Sequence, residues 1–232
     1  MAITRGVGPV VQQTLPGNNL VLTLNSTTVG RSIVIVVVWF VDAGQTISQI
    51  TISGESNASI VAGSKYTRNS GGEAGQFAYL ANNTAGGNKT ITVTMSAATY
   101  FTAAAMEYAG LDTSSQPDNS TTATGGAPGI TASLTTTTAN ALICAVAASD
   151  QIEPTAGSGF TLWGTLLNTN VSEEVEDQLD AGVTGSKTVT FGTVSGGNWA
   201  IGVVSFKAAA GAAGWGGLLG HKANRLVVPL DM

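Results

Sequence analysis

Ile33-Val34-Ile35-Val36-Val37-Val38-Trp39-Phe40-Val41 is the longest apolar run in the chain. A helix needs about 20 consecutive apolar residues to span a bilayer, and this run is about half that length. Its Ile and Val side chains favour the extended backbone of a sheet over a helix. The run therefore reads as a buried strand and not as a membrane anchor. Outward from it, apolar runs of strand length recur between clusters of Gly, Asn, Asp and Ser from residue 19 to residue 207, without helical periodicity. Strands are predicted at 19–25, 31–42, 46–53, 75–81, 89–96, 100–108, 130–136, 139–149, 160–165, 171–181, 187–191 and 198–207. Ile91, Val93 and Met95 alternate with Thr90, Thr92 and Thr94, the period of a strand with one face buried and one face wet. Residues 100–108 are apolar on both sides, which places that strand at the centre of a sheet. Many antiparallel strands joined by short polar turns predict an all-β fold, a single β-sandwich of the jelly-roll type.

At 232 residues the chain is long enough to bury a substantial core, and no linker divides residues 19–208, so one sandwich domain is expected there. Residues 1–18 hold Gly6, Gly8, Pro9, Pro16 and Gly17 and read as an extended N-terminal arm. Residues 209–232 open with an Ala/Gly linker and continue into an apolar tail. Trp215, Leu218, Leu219, Arg225, Leu226, Val227, Val228 and Leu230 of that tail are the candidate partner-binding residues. The tail either folds back onto its own domain or joins a neighbouring subunit by strand addition or groove insertion.

Only 10% of the residues are charged against 43% hydrophobic, and polarity comes from hydroxyl and amide groups. Nine Lys and Arg in a chain of net charge −5 are too few and too scattered for nucleic acid. Met1 to Gly6 lack a basic segment followed by an apolar one, so a chain made and kept in a cytoplasm is expected. The lone cysteine, Cys144, lies in an apolar strand and reads as a small buried hydrophobe.

No catalytic residue, metal site or cofactor is assigned. Triad chemistry needs a histidine on a rigid scaffold, and the only histidine, His221, is in the tail. The one acidic cluster is Ser172-Glu173-Glu174-Val175-Glu176-Asp177-Gln178-Leu179-Asp180. On a strand, Glu174, Glu176, Gln178 and Asp180 point one way, and Glu173 and Asp177 interrupt the opposite apolar face of Val171, Val175 and Leu179. Carboxylates at i and i+2 sit near the spacing used by glycosidases. The preferred reading is a solvated or cation-binding stripe, with Asp112, Asp118 or Asp150 as further oxygen ligands for calcium. Glu107 interrupts an apolar strand and is expected to be paired or hydrogen-bonded. Trp39, Trp163 and Trp199 stack on sugars if exposed, but each lies in a predicted strand and is expected in the core.

Phe77-Ala78-Tyr79, Lys89-Thr90-Ile91-Thr92-Val93-Thr94 and Glu107-Tyr108-Ala109-Gly110-Leu111-Asp112 are followed by Gln116-Pro117-Asp118, residues 135–140, Gly157-Ser158-Gly159-Phe160, Glu176-Asp177-Gln178 and Trp199-Ala200. This succession, over residues 45–208, resembles a concanavalin-like or jelly-roll β-sandwich module of tailed-phage virion proteins and bacterial surface proteins. The resemblance implies a role in adhesion, sugar contact or assembly, and no catalytic residues. The missing leader and the apolar tail favour a non-enzymatic tailed-phage virion protein made in the host cytoplasm. Within the virion it reads as a capsid decoration or cement protein, or a small tail or fibre component. Its expected partners are other copies of itself or other virion proteins, possible glycans, and neither nucleic acid nor membrane. A carbohydrate-binding or adhesive module of a bacterial surface protein is the alternative.

Overall fold

The structure is a computed structural model that describes residues 2–13, 16–40, 44–68, 72–149, 155–168, 171–193 and 197–211. These residues form strands and no helix. In the first half lie β1 (Thr4–Arg5), β2 (Val10–Gln13), β3 (Gly17–Thr27), β4 (Ser32–Phe40), β5 (Ile47–Ile52), β6 (Ser59–Ile60), β7 (Tyr66–Thr67), β8 (Glu73–Leu80), β9 (Gly87–Thr99) and β10 (Phe101–Ala109). In the second lie β11 (Asn119–Gly126), β12 (Gly129–Thr136), β13 (Leu142–Ser149), β14 (Thr161–Asn168), β15 (Val171–Gln178), β16 (Gly185–Thr193) and β17 (Asn198–Phe206).

The all-β jelly-roll expectation holds, and the chain builds the plan twice. In the first half one sheet runs β1/β2-β10-β4-β8-β6/β7 and the other β3-β9-β5. In the second half the sheets are β11-β17-β13-β15-β14 and β12-β16. Each half places its first, last and third long strands side by side in one sheet and its second and next-to-last in the other, the interleaved order of a jelly roll. The registers repeat as well. Val34 faces Met106 on one side and Tyr79 on the other, as Cys144 faces Val204 and Asp177; Leu24 faces Lys89, as Leu134 faces Lys187. One constant shift in numbering relates Leu24, Ile33 and Val36 to Leu134, Ile143 and Val146, and a second relates Lys89-Thr90 and Tyr108 to Lys187-Thr188 and Phe206. The single sandwich read from the sequence thus resolves into two, because the halves share too few identical residues to show the repeat and no flexible linker marks the join.

The four sheets stack with three apolar layers between them. β4 explains how: Ile33, Ile35, Val37 and Trp39 face β3, β9 and β5 through Leu22, Ile50 and Ile91, while Val34, Val36 and Val38 face the second half. A strand covered on both faces must be apolar at every position, which is why this run shows no alternation. β13 mirrors it, with Leu142, Cys144, Val146 and Ala148 in the central layer and Ile143, Ala145 and Ala147 packed beneath β12 and β16. Edge-to-face packing of Tyr79 on Phe206, 5.8 Å between ring centroids, joins the halves across the central layer.

The N-terminal arm is docked in its own sheet over much of its length. Thr4 pairs with Ala109 and Arg5 with Tyr108, Val10 to Gln13 pair along residues 102–105, and Ile3 is buried. The tail past Gly211, with Trp215, Leu218, Leu219, His221, Arg225, Leu226, Val227, Val228 and Leu230, lies outside the described residues.

Candidate functional site

The chemistry of this chain is concentrated where its two sandwiches meet. β15 passes through that region with Glu173, Val175 and Asp177 turned into the central layer and Glu174 and Glu176 turned the other way, as the period-two reading of the acidic cluster expects. The expectation that this stripe is solvated is overturned: Glu173, Glu174, Glu176 and Asp177 are all buried, at 2% exposure or less. The reason lies in the stacking. β15 belongs to an inner sheet, so each of its faces is covered by residues distant in sequence.

Asp177 is the hub of one polar cluster. It accepts hydrogen bonds from Arg5 Nε at 3.0 Å, from Trp163 Nε1 at 2.8 Å and from the Tyr108 hydroxyl, and it forms an ion pair with Arg5. Arg5 and Tyr108 come from the first half and Trp163 and Asp177 from the second. Cys144 lies against the Tyr108 hydroxyl at 4.0 Å, and burial pushes its thiol pKa well up, as expected of an inert buried cysteine.

A second cluster lies farther along the same central layer. Arg68 pairs with Glu73 on the first half, and Glu173 of β15 faces them. Burial, followed by the neighbouring Glu73 charge, holds the Glu173 carboxyl well above its ordinary pKa, against the opposing pull of Arg68. Tyr66 fills the space nearby, its ring inserted between Gly75 of β8 and Gly202 of β17. A side chain at either glycine would collide with that ring, so the glycines form its slot. The Tyr66 hydroxyl is buried with no hydrogen-bond partner. Tyr66→Phe removes an unsatisfied hydroxyl and keeps the ring. Urea unfolding is expected to show the variant more stable by about 1 kcal/mol, and a loss of stability would show that the hydroxyl has a partner.

On the opposite face of β15, Glu176 accepts the Gly157 backbone N–H at 2.8 Å through one oxygen, and its other oxygen has no partner. Burial is the main cause that raises its pKa to about 8, opposed by the Gly157 bond and assisted by the Glu174 and Asp177 charges. The repeat explains this pocket of carboxylates. Glu176 and Gln178 occupy the positions held in β8 by Ala78 and Leu80, which pack in the same apolar layer as Ile50 and Ile52 of β5. Among the described residues the second outer sheet has only β12 and β16, with no counterpart of β5.

The other sequence candidates are structural. Glu107 is buried and accepts from Arg31 Nη1 at 3.0 Å and from the backbone N–H of Thr28 and Val7. Asp112 accepts from Ser114, and Asp118 holds Thr137, Thr138 and Ser205. Asp150 lies outside the described residues. The described residues contain no group of three or more His, Cys, Asp or Glu that could hold a metal ion. Trp39, Trp163 and Trp199 are buried, with each indole N–H bonded, to Gln45 O, Asp177 and Gly126 O respectively. Nothing in the local sequence marks Arg5, Tyr66, Arg68 and Glu73, whose partners are brought to them by the fold. No described helix is long and apolar enough to cross a membrane.

No protein-family model and no curated protein matches the chain. Among solved structures it is similar to the STIV major capsid protein, with 9% identity and a TM-score of 0.30, covering 89% of this chain and 97% of that one. A chain from the atomic structure of Sulfolobus Turreted Icosahedral Virus gives 9% identity and a TM-score of 0.24, covering 90% and 91%.

Proposed function

We propose that this chain is a non-enzymatic structural protein of a virion, made in the host cytoplasm and assembled with copies of itself or with other virion proteins. More finely, it is a tailed-phage capsid decoration or cement protein, or a small tail or fibre component. The observation that carries this reading is the distribution of charge. Among the described residues Arg5, Arg31, Arg68 and Lys89 are paired with acids, and Glu173, Glu174 and Glu176 are buried besides. The two outer sheets are left with neutral faces. One presents Asn19, Val21, Thr23, Thr90, Thr92 and Thr94; the other presents Thr131, Ser133, Thr135, Ser186, Thr188 and Thr190. Hydroxyls and amides cost far less to desolvate than charges, so such faces suit contact with neighbouring subunits. The adhesive or carbohydrate-binding alternative lacks an aromatic platform among the described residues, since their three tryptophans are in the core. The buried Glu174 and Glu176 offer no glycosidase site.

Removing residues 212–232 tests the proposal. The truncated chain is expected to keep the circular dichroism of the sandwiches and to be missing from purified particles when it replaces the full chain. Attachment through the arm and tail is part of the proposal, and normal incorporation would overturn it.

A further inference from the structure

A cavity of about 300 Å³ opens between the two halves, lined by Ala2, Ile3, Asn140, Leu179 and Asp180. It lies beside the point where the chain leaves the folded body. Leu111 bridges to Ala208, the Ala209 N–H donates to Gly110 O at 2.8 Å, and Gly110 lies so near Ala2, which lines the cavity, that a side chain there would collide with the Ala2 carbonyl. Beyond Gly211 the sequence runs Ala212-Ala213-Gly214-Trp215. Trp215 is thus the first bulky side chain after the body, and six residues from Ala209 give a reach of up to about 20 Å. We infer that this cavity receives the Trp215 indole of the same chain.

The chemistry of the walls fits an indole. Ile3 and Leu179 supply apolar surface. At the rim the Asp180 carboxylate, which accepts the Gly182 N–H through Oδ1, offers its second oxygen to the indole N–H. The size falls at the lower end of ligand-sized cavities, room for one side chain and not for a folded segment. The tail beyond residue 211 carries Lys222 and Arg225 against Asp231, while the whole chain is at −5, so its charge also favours the acidic body. A short tether gives the indole a high local concentration at its own cavity, which no neighbour in free solution matches. Self-docking stores the tail in the free subunit, independently of whether the particle assigned above is its destination.

Acrylamide quenching of the full chain reads this directly. Trp39, Trp163 and Trp199 are buried, so quenchable emission reports Trp215. In the wild type, quenching is expected to be weak and unchanged by dilution. Ala2→Phe fills the cavity from an exposed position and is expected to raise quenching severalfold; Asp180→Ala, a second and independent change, is expected to raise it less. Strong quenching of the wild type at every concentration, or no response to Ala2→Phe in a chain of unchanged melting temperature, would overturn the inference. Protection that vanishes on dilution would overturn it too, by assigning the cavity to a neighbour's tail. Each result is read on the free chain and leaves the particle-incorporation experiment untouched.

Discussion

Asp177→Ala is expected to be the most damaging single truncation in the central layer, lowering stability by about 3–5 kcal/mol. The substitution removes one carboxylate and strands three donors. Trp163 Nε1 and the Tyr108 hydroxyl are buried and donate to Asp177, the hydroxyl keeping only the Cys144 thiol at 4.0 Å as a neighbour, and Arg5 loses its ion pair. In a chain of this length each kcal/mol moves the melting temperature by roughly 2–4 °C, so a fall of roughly 10 °C is expected in calorimetry. Arg5→Ala should cost less, because the Arg5 side chain is 31% exposed and Asp177 keeps its two neutral donors. Because Arg5 and Tyr108 belong to one half and Trp163 and Asp177 to the other, the loss weakens the junction itself. Near-ultraviolet dichroism, which reports Tyr108 and Trp163, should change in step with the loss of stability. An Asp177→Ala chain that melts within a degree or two of the wild type would show that the cluster contributes nothing net.

Glu176→Gln is expected to stabilise the protein above about pH 4.5, by an amount that grows until about pH 8. A carboxyl whose pKa rises on folding binds its proton more tightly in the folded state. The folded state is therefore unpenalised below the ordinary value of 4.5, and loses stability as pH climbs through about 8. The slope is on the order of 1.4 kcal/mol for each pH unit inside that window. Glu173, shifted in the same direction, adds to the trend. The wild type should therefore melt lower at pH 8 than at pH 5, which departs from the usual behaviour of proteins stabilised by ionised carboxylates. Glutamine keeps the shape and the acceptor for the Gly157 N–H and removes the titration. Its melting temperature is expected to exceed the wild type's by roughly 10 °C or more at pH 8 and to match it near pH 4.5. Parallel pH profiles for the two proteins would place the titrating group elsewhere.

The two predictions also mark what could be read along the chain. Periodicity assigned the faces of residues 173–180 correctly, Val175 and Asp177 on one side and Glu174 and Glu176 on the other. It could not tell that both faces are covered, because the cover comes from the inner sheet of the first half on one side and from β12, β16 and residues 155–159 on the other. The twelve predicted strands appear in the structure, since each carries its own apolar signal. β11, Asn-Ser-Thr-Thr-Ala-Thr-Gly-Gly, carries none and exists through its pairing with β17. β1 and β2 were hidden among glycines and prolines and are held by β10. The repeat leaves little trace in the sequence because its shared residues, such as Lys89-Thr90 and Lys187-Thr188, are typical of any threonine-rich strand.

Joining the two jelly rolls in one polypeptide changes what their mutual surface is permitted to be. Were they identical subunits meeting about a two-fold axis, every residue would appear twice and any charge placed on one side would confront its own copy. Within one chain the related positions are released from that constraint. Tyr79 and Asp177 occupy equivalent places in the two halves, and one packs edge-on against Phe206 while the other gathers Arg5, Tyr108 and Trp163. The contact is also unimolecular, so dilution cannot separate the halves, and the outer faces can meet neighbours without the inner one having to compete for them.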